Sequence, residues 1–395
     1  MLRAHRSWYR KFVELNLWAT LYSSWLLGLF PFVYISRTRR IKRSGWLVGY
    51  GIAFNVLLLW LAMNYYEATQ SQAKEELFTR NPLAEQINVL HNGLLLLTVF
   101  VMYFRNWWMS DELGKILNVL LELHDHHFRR YDTSDCYNFD NYIVYKGVCT
   151  MLELISIIWI IFGLSPRYNI GLLVGVLSIM VIQLGVFMVT THFHICVMFV
   201  YRSIWIINRE LLQLVNRLTI DKQVTKSSRI PKLFDLYRRL LELNRRIVGV
   251  YDYQITLFIV SLLTVNVISI FYILVYVVSL RKAVTFYMFL NFLQALSINI
   301  SDFWLNIALC DLAVSANRST AAILKLFNDI PQLDKQLERN LNDFALFSSH
   351  RRLTFNHFGM FDVHNAMGFR MVIACTLYML YLVQFDYVNL MRTST

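Results

Sequence analysis

Seven separate stretches of this chain are long and apolar enough to cross a lipid bilayer, and no other feature restricts the fold as strongly: 45–64, 87–104, 142–163, 170–200, 252–280, 284–311 and 368–390. A helix needs about 20 mostly apolar residues to cross ~30 Å of hydrocarbon at 1.5 Å per residue. Lipid offers the backbone no hydrogen-bond partner, so each single crossing must be a helix that satisfies its own amides. Composition agrees. Of 395 residues, 56% are hydrophobic and 16% charged, whereas ordinary soluble domains carry roughly 25% charged residues. The expected fold is all-α, a polytopic membrane protein with seven transmembrane helices.

An eighth apolar run, 13–35, is long enough to span, but its flanks argue otherwise. Arg3, Arg6, Arg10 and Lys11 precede it and Arg37, Arg39, Arg40, Lys42 and Arg43 follow it. Both flanks carry the charge that marks the cytoplasmic side, so a helix lying in the inner interface and broken near Pro31 fits better than a crossing. The remaining basic residues set the orientation. One alternating set of loops, with the N-terminal nine, holds 31 Lys and Arg; the opposite set holds six. The N-terminus is therefore expected inside and the C-terminus outside. The net charge of +12 follows from this asymmetry and sits between apolar runs, which argues against nucleic acid as a partner and for contact with membrane lipids.

The outer loops are too short for an extracellular domain, so an outside ligand must bind among the helices. Cys136 falls in an inner loop and Cys149, Cys196, Cys310 and Cys375 in the inner halves of spans, which leaves no outer disulfide. The Asn-x-Ser/Thr matches at Asn299 and Asn317 lie in a span and an inner loop, out of reach of glycosylation. Inside, 112–128 and 205–248 carry leucines at three- and four-residue steps, which predicts helical extensions that pack with 320–348. The expected organisation is a cytoplasmic N-terminal segment over 1–44, a six-helix bundle over 45–311, cytoplasmic anchor helices over 312–367 and a last helix with a short outer tail over 368–395.

Glu153 reads as the one acid near the middle of a span, either paired within the bundle or poised for function. His192 and His194 are two apart and point in different directions on a helix, and His124, His126 and His127 lie on a solvated face, so no metal site or cofactor is expected. Paired acids and His-rich faces are missing, which argues against an enzyme. No internal repeat marks a carrier.

The last span contains Thr376, Tyr378, five hydrophobic residues from Met379 to Val383, then Gln384 and Phe385. This resembles the Thr-Tyr, five-hydrophobic, Gln-Phe pattern that ends the insect gustatory receptors, with Leu377 standing where the threonine belongs. The early Gly28-Leu-Phe-Pro31 run, the length and the inside N-terminus extend the resemblance. It implies a subunit of a tetrameric ligand-gated cation channel in the plasma membrane of chemosensory neurons, homomeric or with other gustatory receptor subunits. The last helix of each subunit would line the pore, and a tastant pocket would lie between spans two and six in the outer half of the bilayer.

The residues themselves allow this reading. At 100° per residue, Thr376, Leu380, Val383, Gln384 and Tyr387 share one stripe, which repeated around a four-fold axis makes rings: a hydrophobic constriction from Leu380 and Val383 and a polar ring from Gln384. Phe385 completes the motif. Orientation places Trp159, Gln183, Asn266, Tyr272, Tyr276, Tyr287, Asn291 and Gln294 at middle to outer depth. Aromatic walls with a few amides suit small organic tastants, bitter compounds somewhat better than sugars. A G-protein-coupled receptor or a small-molecule transporter are the alternatives; the first requires an outside N-terminus.

Overall fold

The computed structural model describes residues 2–73, 82–132, 135–163, 170–220, 229–279, 286–330, 333–359 and 361–394. Every expected crossing coincides with a helix over its described residues, 280, 284 and 285 lying outside them: α2 (Gly45–Ala73), α3 (Pro82–Trp108), α5 (Tyr137–Gly163), α6 (Ile170–Ile220), α7 (Arg229–Ser279), α8 (Phe286–Leu326) and α10 (Asn365–Ser394). Between them lie α1 (Leu2–Leu26), α4 (Ser110–Leu123) and α9 (Lys335–His350). Six of the described helices are long and apolar enough to cross a membrane. The seventh, α5, carries Lys146 and Glu153 and packs in the same bundle between α6 and α8.

The helix α6 is the axis of the fold. It packs against α2, α5, α7 and α8, and 56% of its most apolar stretch is buried, against 17% for α10. Gly185 lets α3 come close: a Cβ there would stand 2.1 Å from the Tyr103 hydroxyl, which donates to the Ile182 carbonyl at 2.8 Å. With 51 residues, α6 extends about 76 Å, more than twice the hydrocarbon thickness, so its lower half must leave the bilayer. There it meets the lower halves of α7 and α8 and the amphipathic α9. Phe234 and Phe344 stack with centroids 5.1 Å apart, Tyr237 donates to Asn317 at 2.5 Å, and Asn208 donates to the Ala316 carbonyl while accepting from Thr320. Asn317 is buried and its amide oxygen is engaged.

The N-terminal run folds in a way its apolar sequence did not announce. The helix α1 ends at Leu26, ahead of Pro31, because Gly28 takes φ +69°, the conformation that closes helices at low cost. The exposed carbonyls that follow are collected by α2 and α3. Tyr50 donates to Leu26 at 2.7 Å, Asn55 to Leu27 at 2.9 Å, Trp107 to Gly28 at 3.1 Å and Asn106 to Leu29 at 2.6 Å. Gly28 and Gly51 touch backbone to backbone, and a Cβ on either would fall within 2.3 Å of the other. The chain then forms a hairpin, β1 (Phe32–Ile35) with β2 (Arg40–Arg43). Asn118 of α4 holds it by accepting from the Ile41 amide and donating to the Ile41 carbonyl, both at 2.8 Å. A second small hairpin, β3 (Asn356–His357) with β4 (Phe361–Asp362), precedes α10.

Candidate functional site: an intramembrane cavity and the face of the last helix

A cavity of about 460 Å³ lies between α5 and α8. Cys149, Leu152 and Trp159 line it from α5 at steps of three and seven. Leu290, Leu293, Gln294, Ser297, Ile298 and Ser301 line it from α8 as one continuous stripe. Two of the residues expected at a ligand site, Trp159 and Gln294, thus meet in one cavity. Gln183, exposed on α6, and Asn266, buried on α7 with its amide oxygen unpartnered, do not line it. Tyr272, Tyr276, Tyr287 and Asn291 sit on α7 and α8, with side chains outside the described residues.

One turn inward of Cys149 and directly after Ser301, the bundle closes with a buried ion pair. Lys146 of α5, 2% exposed, meets Asp302 of α8, 0% exposed. Thr190 of α6 lies 3.3 Å from the Lys146 Nζ, and Asn306 donates to Asp302 at 3.2 Å. Two ions out of water need each other and further polar partners, which these two side chains provide. Glu153, two turns outward from Lys146, is 5% exposed. It is therefore not the one acid deep within a span, as the sequence suggested: Asp302 of α8 is a second, and it takes the cation. His192 lies 2.7 Å from the Ser24 hydroxyl of α1; His194 rests against the Tyr142 ring. Among the described residues no group of three or more His, Cys, Asp or Glu side chains is arranged to hold a metal.

The last helix, α10, leans on α7 through a narrow seam. Leu382, 2% exposed, packs against Val267 and Phe271, with Cys375 and Val383 at the edge. Its first turn also packs on α8, with Met367 buried, Gly368 close to Trp304 and Ile307, and the Phe369 ring 5.2 Å from that of Trp304; beyond that turn most of the described side chains are exposed. Thr376, Leu380, Gln384 and Tyr387 are exposed, as are Leu377 and Tyr381 beside them and Tyr378 on the opposite side, while Val383 and Phe385 are half-buried. Thr376 donates back to the Val372 carbonyl at 3.0 Å. The expected stripe therefore turns away from α7, except for Val383 at its margin.

Below α10, one cluster ties three elements together. Asp252 of α7 accepts from the Phe358 amide and lies 3.0 Å from the His357 Nδ1. Arg105 of α3 covers the Tyr253 ring at 4.1 Å and donates to the Gly249 carbonyl. The Tyr253 ring in turn meets Phe358 at 4.2 Å. Burial pushes the His357 ring below its ordinary range, and Asp252 opposes that push.

The sequence profile of the "7tm Chemosensory receptor" family matches residues 17–389. "Gustatory receptor for bitter taste 22e" of Drosophila melanogaster is 45% identical over 391 residues, 99% of this chain and 100% of the relative. The chain belongs to the insect gustatory receptor family. The fold of this gustatory receptor is that of an insect olfactory receptor, OR5 from Machilis hrabei, with a TM-score of 0.67 at 12% identity over 94% of this chain and 99% of the other. The same receptor in complex with eugenol gives 0.66 over 96% and 99%. Of the residues that sequence reading expected at a ligand site in this gustatory receptor, Trp159 and Gln294 line the cavity. Sequence reading missed the Lys146–Asp302 pair, whose signal was available: one isolated base and one isolated acid in two spans that must lie side by side if each is to avoid lipid.

Proposed function

We propose that this gustatory receptor is a subunit of a tetrameric, ligand-gated cation channel in the plasma membrane of chemosensory neurons, with α10 lining a shared pore and small organic tastants binding between α5 and α8. The exposed face of α10 carries the proposal. A helix packed on α7 and, at its first turn, on α8, whose exposed side combines Thr376, Leu380 and Gln384, is suited to face copies of itself around an axis. Leu380 and Val383 would then form the closing ring by dewetting, and Gln384 the polar ring that ions meet. Ligand binding would bias a closed–open equilibrium by its differential affinity for the two states.

The cavity's make-up supports a small organic ligand with a hydrogen-bonding group: apolar walls, one indole, one amide and two hydroxyl side chains. A bitter compound is the preferred class, given that the relative named above is a receptor for bitter taste. Recording from cells that express the chain alone, challenged with bitter compounds and sugars, tests the reading. Tastant-evoked unitary currents are expected, with Gln384→Ala changing ion selectivity or gating in normally trafficked protein. Saturable uptake without such currents would favour a transporter instead. Trp159→Ala and Gln294→Ala should shift ligand sensitivity more than maximal current, and the reverse pattern would remove the tastant from this cavity.

A further inference from the structure

A second cavity, of about 800 Å³, opens between α4, the lower half of α7 and the segment after α9. Six arginines line it: Arg238, Arg239, Arg245, Arg246, Arg351 and Arg352. Among the described residues only two acids do, Glu122 and Glu242. Three of the arginines are engaged elsewhere, Arg238 and Arg239 by Asp235 at 3.0 and 2.8 Å and Arg246 by Glu112 at 2.6 Å. Arg245, Arg351 and Arg352 are exposed and make no ion pair among the described residues. The charge-sidedness of a membrane protein explains basic loops; it does not explain convergence of basic side chains from separate elements onto one concavity.

The depth of the cavity narrows the choice of occupant. Arg105, at the inner end of α3, donates to the Gly249 carbonyl, and as the first base after the second span we take it as the level of the inner membrane face. Arg245 lies one turn below that level, about 6 Å, and Arg238 about 16 Å. The cleft thus begins at headgroup level and reaches into the cytosol. Guanidinium forks match phosphate oxygens in pairs, and several of them around a pocket of this size suit a compact anion with more than one phosphate. We infer that this cleft binds a polyphosphorylated inositol group, through Arg245, Arg351 and Arg352. The group is available either as the headgroup of an inner-leaflet lipid or as a soluble inositol phosphate, and both present the same phosphate geometry.

The test uses the full-length purified chain in detergent, with inositol hexakisphosphate as the soluble probe and short-chain phosphatidylinositol bisphosphate as the lipid probe. Affinity for each is read from the shift of the thermal unfolding midpoint. Arg245→Gln, Arg351→Gln and Arg352→Gln together should weaken the probe that binds about tenfold or more. A control that removes equal charge elsewhere, Arg37→Gln, Arg40→Gln and Lys42→Gln in the first hairpin, should change it less than about twofold. Should the triple variant misfold, the double variant Arg351→Gln/Arg352→Gln, confined to an exposed segment, replaces it. A response to the lipid probe alone assigns the cleft to a membrane lipid; a response to the soluble probe alone assigns it to a cytosolic phosphate. Binding of neither, or equal losses in the cleft and hairpin variants, overturns the inference.

Discussion

Lys146 and Asp302 are each nearly without contact with water, so either alone would be an uncompensated charge inside the bundle. Removing one partner of such a pair costs about 3–5 kcal/mol, while replacing both by apolar residues of similar volume is near neutral. Lys146→Met should therefore lower the unfolding temperature and surface expression sharply, and Lys146→Met/Asp302→Leu should restore much of both. Additive losses in a double-mutant cycle would show that the two side chains act separately. His357 gives a pH signature of its own. Its folded pKa lies below the ordinary value because burial outweighs the Asp252 carboxylate, so the unfolded chain takes up a proton first as pH falls. Stability contributed by the neutral ring is complete above about pH 6.5 and declines below it, toward the folded pKa. Melting curves at about pH 7 and about pH 5.5 should differ less for His357→Asn than for the parent. These two features were out of reach of the sequence for a shared reason. Periodicity places a residue on a face, but the partner that neutralises or buries it comes from an element more than 100 positions away.

Elements were the most legible level. Apolar length located all seven crossings, and leucine spacing located the inner extensions, because both signals are local and repeat along one helix. The N-terminal region was less legible. Hydrophobicity marked an apolar run with a break near Pro31, yet the turn belongs to Gly28 and the hairpin beyond it depends on α4. A two-stranded hairpin is marginal by itself, so its sequence carries little sign of it. The Gly28–Gly51 contact supplies a direct test. Gly51→Ala puts a methyl 2.2 Å from the Gly28 carbonyl oxygen, which the backbone can relieve only by moving α1's end off α2. Loss of folded, detergent-stable protein on size-exclusion chromatography is expected for Gly51→Ala and not for Gly49→Ala, where a Cβ meets nothing within 4 Å.

For the whole molecule, sidedness is the property to measure. With 31 basic residues on one side and six on the other, an epitope at the N-terminus should be labelled only after cells are permeabilised and one at the C-terminus in intact cells. The opposite result would reverse every inner and outer assignment made above. The burial pattern also separates the molecule into parts: α6 and α7 are the interior, while α2 and α10 keep wide apolar faces bare, 17% buried in each case. One feature of the N-terminal region bears on how such a molecule is made. The carbonyls after α1 are received by Tyr50, Asn55, Asn106 and Trp107, and α1 itself lies on α5 and α6. Synthesis delivers the first residues long before those receiving helices are threaded into the bilayer. Seating of α1 therefore requires α3, α5 and α6 to be in place as well as α2, so a segment that precedes them in the chain is locked in only after them.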